Sequence, residues 1–177
     1  LSMKEAIESH RGSMPSCMGS LYWQINDCWP TISWSSVDYY GNWKASHYQA
    51  KRSFDKIIIT ENKSENKISL NVVSDLLEDK NLDLQLNWMK NAGNFTGESI
   101  SRQITIKANT STMVFEKILG EKEMMMLDQT FLLARLFDGN ELIIEKMISF
   151  VRPLEQKLKA SNIEYNLTRR SDSYVID

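Results

Sequence analysis

From Ile57 onward, apolar residues stand at every second position. Ile68, Leu70 and Val72 share one register, and Leu82, Leu84, Leu86 and Trp88 share another. A period of two suits an extended chain with one buried face, whereas a helix would spread these side chains around its axis. Similar stretches follow at 99–107, 112–117, 129–137 and 142–151. Turn formers separate them: Asn91-Ala92-Gly93-Asn94, Ala108-Asn109-Thr110 and Asp138-Gly139-Asn140. Strands of this length and spacing predict an antiparallel β-sandwich of immunoglobulin-like type over 57–152.

The first 56 residues have another texture. Met3, Ala6 and Ile7 sit at near-helical spacing, and Ser2 with Glu5 forms a capping-box pattern, so 2–10 reads as a helix ended by Gly12 and Pro15. The run 18–25 is short, apolar and aromatic, and reads as a buried strand. Residues 26–41, with Pro30 and many serines, read as a loop. Over 42–54 a helix is predicted, with Trp43, His47, Ala50 and Phe54 on one face. Helix, buried strand, loop and helix in succession is the rhythm of an α/β barrel repeat. Beyond the sandwich, 153–161 reads as a linker. Strands at 163–168 and 174–176 would begin a further sandwich. Three units follow: 1–56 as the end of a barrel, 57–152 as a sandwich, and 153–177 as a linker with first strands. The fold class is thus mainly β.

Residues 20–48 hold eight of the eleven Trp and Tyr residues of the chain. Gln24, Asn26, Asp27 and Asp38 are interleaved with the rings. Flat apolar faces beside hydrogen-bonding groups suit a sugar, whose C–H face stacks while its hydroxyls need donors and acceptors. The competing reading is an aromatic core. Met124-Met125-Met126 reads as an interstrand loop plugging the sandwich edge.

A formal net charge of −2, with Lys and Arg scattered, gives no basis for a nucleic-acid or anionic-membrane partner. No apolar run reaches the roughly 18 residues of a membrane span. Cys17 and Cys28 are expected as reduced, buried thiols, and His10 and His47 as structural residues without metal-ligand spacing. Sequons occur at Asn62, Asn94, Asn109 and Asn166 and would carry glycans only in a eukaryotic secretory protein.

The order of residues sharpens the sugar reading. Cys17-Met18-Gly19-Ser20-Leu21-Tyr22-Trp23-Gln24-Ile25-Asn26-Asp27-Cys28-Trp29-Pro30 resembles the eighth barrel strand of the β-mannosidases of glycoside hydrolase family 2. The stretch from Ser33 to Ala45 is similar to that family's next loop and helix start. Val73-Ser74-Asp75-Leu76-Leu77 and Phe150-Val151-Arg152-Pro153 are similar to its later sandwich domains. Trp23-Gln24-Ile25-Asn26-Asp27 fits the mannosidase version better than those of β-galactosidase or β-glucuronidase. The resemblance implies an internal piece of a longer retaining exo-glycosidase that releases terminal β-linked mannose without metal or organic cofactor. Its partners would be a β-mannoside or mannose-containing oligosaccharide and the rest of the catalytic barrel. The family's catalytic glutamates lie on earlier barrel strands, one in an Asn-Glu motif.

Most glycosidases need two carboxyl groups flanking the scissile bond. Asp27, Asp38 and Glu5 are the candidates within the barrel-like part, and no two are placed as a pair. Asn140-Glu141 matches the Asn-Glu motif by coincidence, because its context is a tight hairpin. No catalytic residue is therefore assigned, and the chain by itself is expected to be inactive. The substrate-binding candidates are Trp23, whose counterpart in the family lines the terminal-sugar subsite, with Asn26 and Asp27 at the strand mouth. These two would either bond sugar hydroxyls or pin the loop. Trp29, Trp34 and Tyr39 would edge the entrance or pack the loop, while Trp43, Tyr48 and Trp88 read as core. The rival reading from another class is a non-catalytic carbohydrate-binding or structural sandwich module. Sparse rings after Ile57 weigh against its binding form.

Overall fold

The computed structural model describes residues 2–158, 160, 165–170 and 173–176. Seven antiparallel strands make two facing sheets. β1 (Ile57–Ser64), β2 (Lys67–Ser74) and β5 (Thr110–Ile118) form one, in the order β1-β2-β5. β3 (Lys80–Lys90), β4 (Phe95–Ile106), β6 (Thr130–Asp138) and β7 (Glu141–Ser149) form the other, in the order β4-β3-β6-β7. The chain crosses between sheets after β2, β4 and β5. This is an immunoglobulin-like arrangement with one departure from the constant-type pattern. The fourth strand stays beside the third instead of joining the sheet of the first, second and fifth.

The period-two reading holds residue by residue. Ile68, Leu70, Val72, Leu84 and Leu86 are fully buried, and Leu82 nearly so. Leu132, Ala134 and Leu136 of β6 and Ile148 of β7 join them in one core. Trp88 closes one end of this core, stacked on Phe150 with ring centroids 5.1 Å apart. The β6–β7 turn has the two central residues Gly139 and Asn140, with Gly139 at φ 59°. That left-handed backbone suits glycine and matches the twist of the paired strands. The expected hairpin around Glu141 is thus present. Strands β4 and β5 are longer than the sequence suggested. Between β5 and β6 the run 124–126 begins in a short helix, α3 (Glu121–Met124). Met124 packs on the core and Met125 faces solvent.

Upstream stand two helices, α1 (Ser2–Gly12) and α2 (Ala45–Ser53). The second is shorter than predicted. Trp43 precedes it and, like Tyr48 and Phe54, is exposed, while Ala50 is buried. The expectation that Trp43 and Tyr48 are core is therefore corrected. The predicted buried strand 18–25 is corrected too. It makes no ladder, and Met18, Leu21, Trp23 and Ile25 face solvent. A strand needs a neighbour to satisfy its backbone, and 20–27 finds one only in an isolated parallel bridge between Asn26 and Val37.

After β7 a 3-10 turn (Pro153–Glu155) leads back along the sandwich, where Lys157 meets Asp128 at 2.6 Å. The expected strand at 163–168 falls partly outside the described residues. A hairpin of β8 (Leu167–Arg170) and β9 (Ser173–Ile176) is present. Among the described residues no helix is long and apolar enough to cross a membrane.

Candidate functional site

The segment 13–44 is almost without regular structure, yet its backbone is fixed. Val37 N–H donates to the Ile25 carbonyl at 2.7 Å, Asp27 N–H to Val37 at 3.3 Å, and Lys44 N–H to Ser36 at 2.9 Å. Polar side chains complete the frame. Asp27 is buried, and its carboxylate accepts from Ser33 Oγ at 2.5 Å, Ser35 Oγ at 2.7 Å and Lys44 Nζ at 3.3 Å. Lys44 Nζ also donates to Ser35 Oγ at 2.8 Å. The hydroxyls of Ser33 and Ser35, with Lys44 behind them, hold the Asp27 carboxyl below the usual carboxylate range. A second knot centres on buried Ser36. Its hydroxyl donates to the Ile25 carbonyl at 3.1 Å and lies 3.2 Å from the Tyr22 hydroxyl and 3.0 Å from His47 Nδ1.

Upon this polar frame the rings point outward. Trp23 is 78% exposed, Trp34 68% and Trp29 67%. Tyr39 and Tyr40 meet edge to face with centroids 5.2 Å apart, and Trp43 packs on His47 at 4.3 Å. Globular proteins seldom leave a cluster of this size open to water unless something is meant to cover it. Such an arrangement can stack an apolar face and offer hydrogen bonds beside it. It holds no pair of free carboxylates.

The three candidates named from sequence therefore differ in setting. Trp23 and Asn26 are exposed, and Asp27 lies beneath them with both carboxylate oxygens engaged. Asp38 lies apart, its carboxyl held low by Asn42, which donates through its side chain at 2.9 Å and its backbone N–H at 2.8 Å. Glu141 is exposed on the β6–β7 hairpin. Lys44, Ser33 and Ser35 were not singled out in the sequence. The only signal was an acid followed by closely spaced serines and a lysine, a pattern common in loops. His10 bonds Ser20 Oγ at 2.8 Å, in keeping with a structural role. Both thiols are free, but Cys17 is half-buried and Cys28 exposed, so their expected burial is corrected. Among the described residues no cluster of His, Cys, Asp and Glu is arranged to hold a metal.

An immunoglobulin-like sandwich that carries an aromatic, sugar-compatible segment at its head falls in a recognisable class. Residues 66–154 match the family model for the mannosidase Ig/CBM-like domain. The chain is 30% identical over 169 residues to a β-mannosidase of Rattus norvegicus, covering 90% of this chain and 19% of that protein. A β-mannosidase A of Aspergillus fumigatus is 25% identical over 174 residues, again with 90% and 19% coverage. The crystal structure of a β-D-mannosidase from Dictyoglomus thermophilum superposes with a TM-score of 0.80 at 27% identity. That overlap spans 99% of this chain and 21% of the other. An exo-chitosanase from Amycolatopsis orientalis shares the fold, with a TM-score of 0.61 at 16% identity. The chain belongs to the β-mannosidase group of glycoside hydrolase family 2, whose Ig/CBM-like domain it carries. It spans about one fifth of the length of these relatives.

Proposed function

We propose that this chain is a piece of a retaining exo-β-mannosidase. It would contribute one wall of the terminal-sugar subsite and lack both catalytic carboxyl groups. The observation that carries the reading is Trp23, a tryptophan 78% exposed on a segment whose backbone is pinned from below. An indole exposed in this way offers a flat apolar face on which a sugar ring can pack. Asn26 stands beside it as a donor and acceptor for hydroxyls. Asp27 contributes by fixing the loop, since its oxygens are already occupied. The other rings of 21–48 would be covered by the remaining barrel strands and helices. The catalytic acid/base and nucleophile would come from that part.

Trp23→Ala in the complete enzyme tests the wall. Turnover of an aryl β-mannoside should fall strongly while the sandwich stays folded, and unchanged kinetics would reject the role. The purified chain should show no hydrolysis above the buffer rate. Turnover abolished by Asp27→Asn or Glu141→Gln would place a catalytic group within it.

A further inference from the structure

Two largely buried cationic side chains fasten α1 to the sandwich and to the end of α2, and the sugar-wall reading uses neither. Lys146 sits on β7. Its ammonium donates to Glu8 of α1 at 2.7 Å and to the Ile59 carbonyl of β1 at 2.7 Å, and it also pairs with the Glu61 carboxylate of β1. Two hydrogen bonds and one ion pair thus converge on this ammonium. The side chains of Lys146, Glu8 and Glu61 are only 12%, 14% and 10% exposed. Lys4, one turn before Glu8, lies 3.5 Å from both carboxylates. At the other end of α1, buried Arg11 donates to the carbonyls of Ser53 and Asp55 at 2.6 and 2.7 Å and to Asp75 at 2.8 Å. It thereby caps the end of α2 and ties it to the end of β2.

Lys4, Ile7, Glu8 and Arg11 form one stripe of α1, and only Ile7 on it is apolar. An apolar stripe tolerates sliding, because any apolar neighbour serves. A charged stripe in a largely buried contact has one good register, because a slip of one turn separates the charges from their partners. Between the two helices hangs the segment 13–44. Its ends are therefore set by α1, which lies on the sandwich, and by α2, which packs on α1.

We propose that Lys146 and Arg11 are positioning residues. They lock α1 in one register on the sandwich and the end of α2 against α1, and so fix where the Trp23 segment is presented. The link to sugar binding rests on the reading of Trp23 given above, whereas the lock itself does not. The sandwich then serves as a jig for the aromatic segment rather than as a passive appendage.

The test is amide exchange on the chain with Lys146→Met and, separately, Arg11→Met. Lys146→Arg is the conservative variant. Exchange across Ser2–Gly12 and Ala45–Ser53 should rise at least about tenfold, while Lys80–Lys90 and Thr130–Asp138 keep their protection. Lys146→Arg should restore most of the helix protection. With 5-fluorotryptophan incorporated, the Trp23 fluorine resonance should shift or broaden in Lys146→Met while that of Trp88 stays in place. Should Lys146→Met fail to fold, Glu8→Gln weakens the same contact more gently and is read in the same way. Unchanged helix exchange overturns the proposal. So does an equal loss of protection in β3 and β6, which would mean general destabilisation, or loosened helices with an unmoved Trp23 resonance. Failure of Trp23→Ala to affect β-mannoside turnover would count against the sugar wall and leave these exchange results untouched.

Discussion

The sandwich and the 13–44 segment spend the same kinds of residue in opposite ways. Between Ile57 and Ser149 alternate apolar side chains of the strands fill one core, the backbone is paired in ladders, and Trp88 is buried. Between Ser13 and Lys44 the rings point outward, ladders are replaced by isolated bridges, and the interior is a knot of Asp27, Ser33, Ser35, Ser36 and Lys44. Apolar burial holds the first region. Hydrogen bonds to a few buried polar atoms hold the second. The lesson concerns cooperativity. Damage to the sandwich should be global, and damage to the segment should stay local.

The largest expected effect is in the sandwich core. Leu84 is fully buried between the sheets, so Leu84→Ala should cost about 2–5 kcal/mol of unfolding free energy. Urea denaturation followed by the fluorescence of Trp88 would read it. A loss confined to the aromatic segment would break the comparison.

Acid comes next. Burial alone would raise the Glu61 carboxyl, but Lys146, Lys4 and Lys63 overcome it and hold the group below its ordinary value of 4.5. A carboxyl depressed in the folded state stabilises the fold fully above its unfolded value. That contribution fades as pH falls through the lower folded value. Glu8 and the three lysines face the same group. Amide protection of α1 should therefore hold at neutral pH and weaken only as pH falls below 4.5, before that of β3. Loss of α1 protection near pH 6 would contradict the assignment.

Smaller in scope is Asp27→Asn. It removes the charge that Ser33, Ser35 and Lys44 surround, so exchange at Val37 and Lys44 should quicken while the sandwich midpoint stays put. The smallest effect is expected for Trp34→Ala. A ring 68% exposed supports little of the fold, and its loss should change stability by less than about 0.5 kcal/mol in this chain. A drop of several times that size would show that the outward rings are packed after all.

The sandwich was legible in the sequence because its signal is local. Ile68, Leu70 and Val72 alternate within five residues, and Asp138-Gly139-Asn140 announces its own turn. The run 18–25 misled for the reverse reason. Tyr22, Trp23 and Ile25 have the composition of a buried strand, but burial depends on neighbours, and the described residues give this run no ladder. Arg11 and Lys146 were invisible for a third reason. A charged residue on a helix or strand looks solvated until its partners are known, and those partners lie 42 to 138 positions away. Of the proposed site, Trp23 and Asn26 were nominated by the order of residues around them. The serine and lysine cradle under Asp27 had no pattern to betray it.

The contact between Glu8 and Lys146 also has a history in time. Their separation of 138 residues is most of the chain. At ribosomal speeds of about 5–20 residues per second, α1 is made roughly 7–28 seconds before the lysine that completes its lock. Through that interval Glu8 and Glu61 have Lys4 and Lys63 but lack their closest cation. The Glu8 contact of the first helix is thus among the last to close, well after Arg11 has met Ser53, Asp55 and Asp75. Nascent chains halted short of β7 should leave α1 open to a protease that can no longer cut it once Lys146 has emerged.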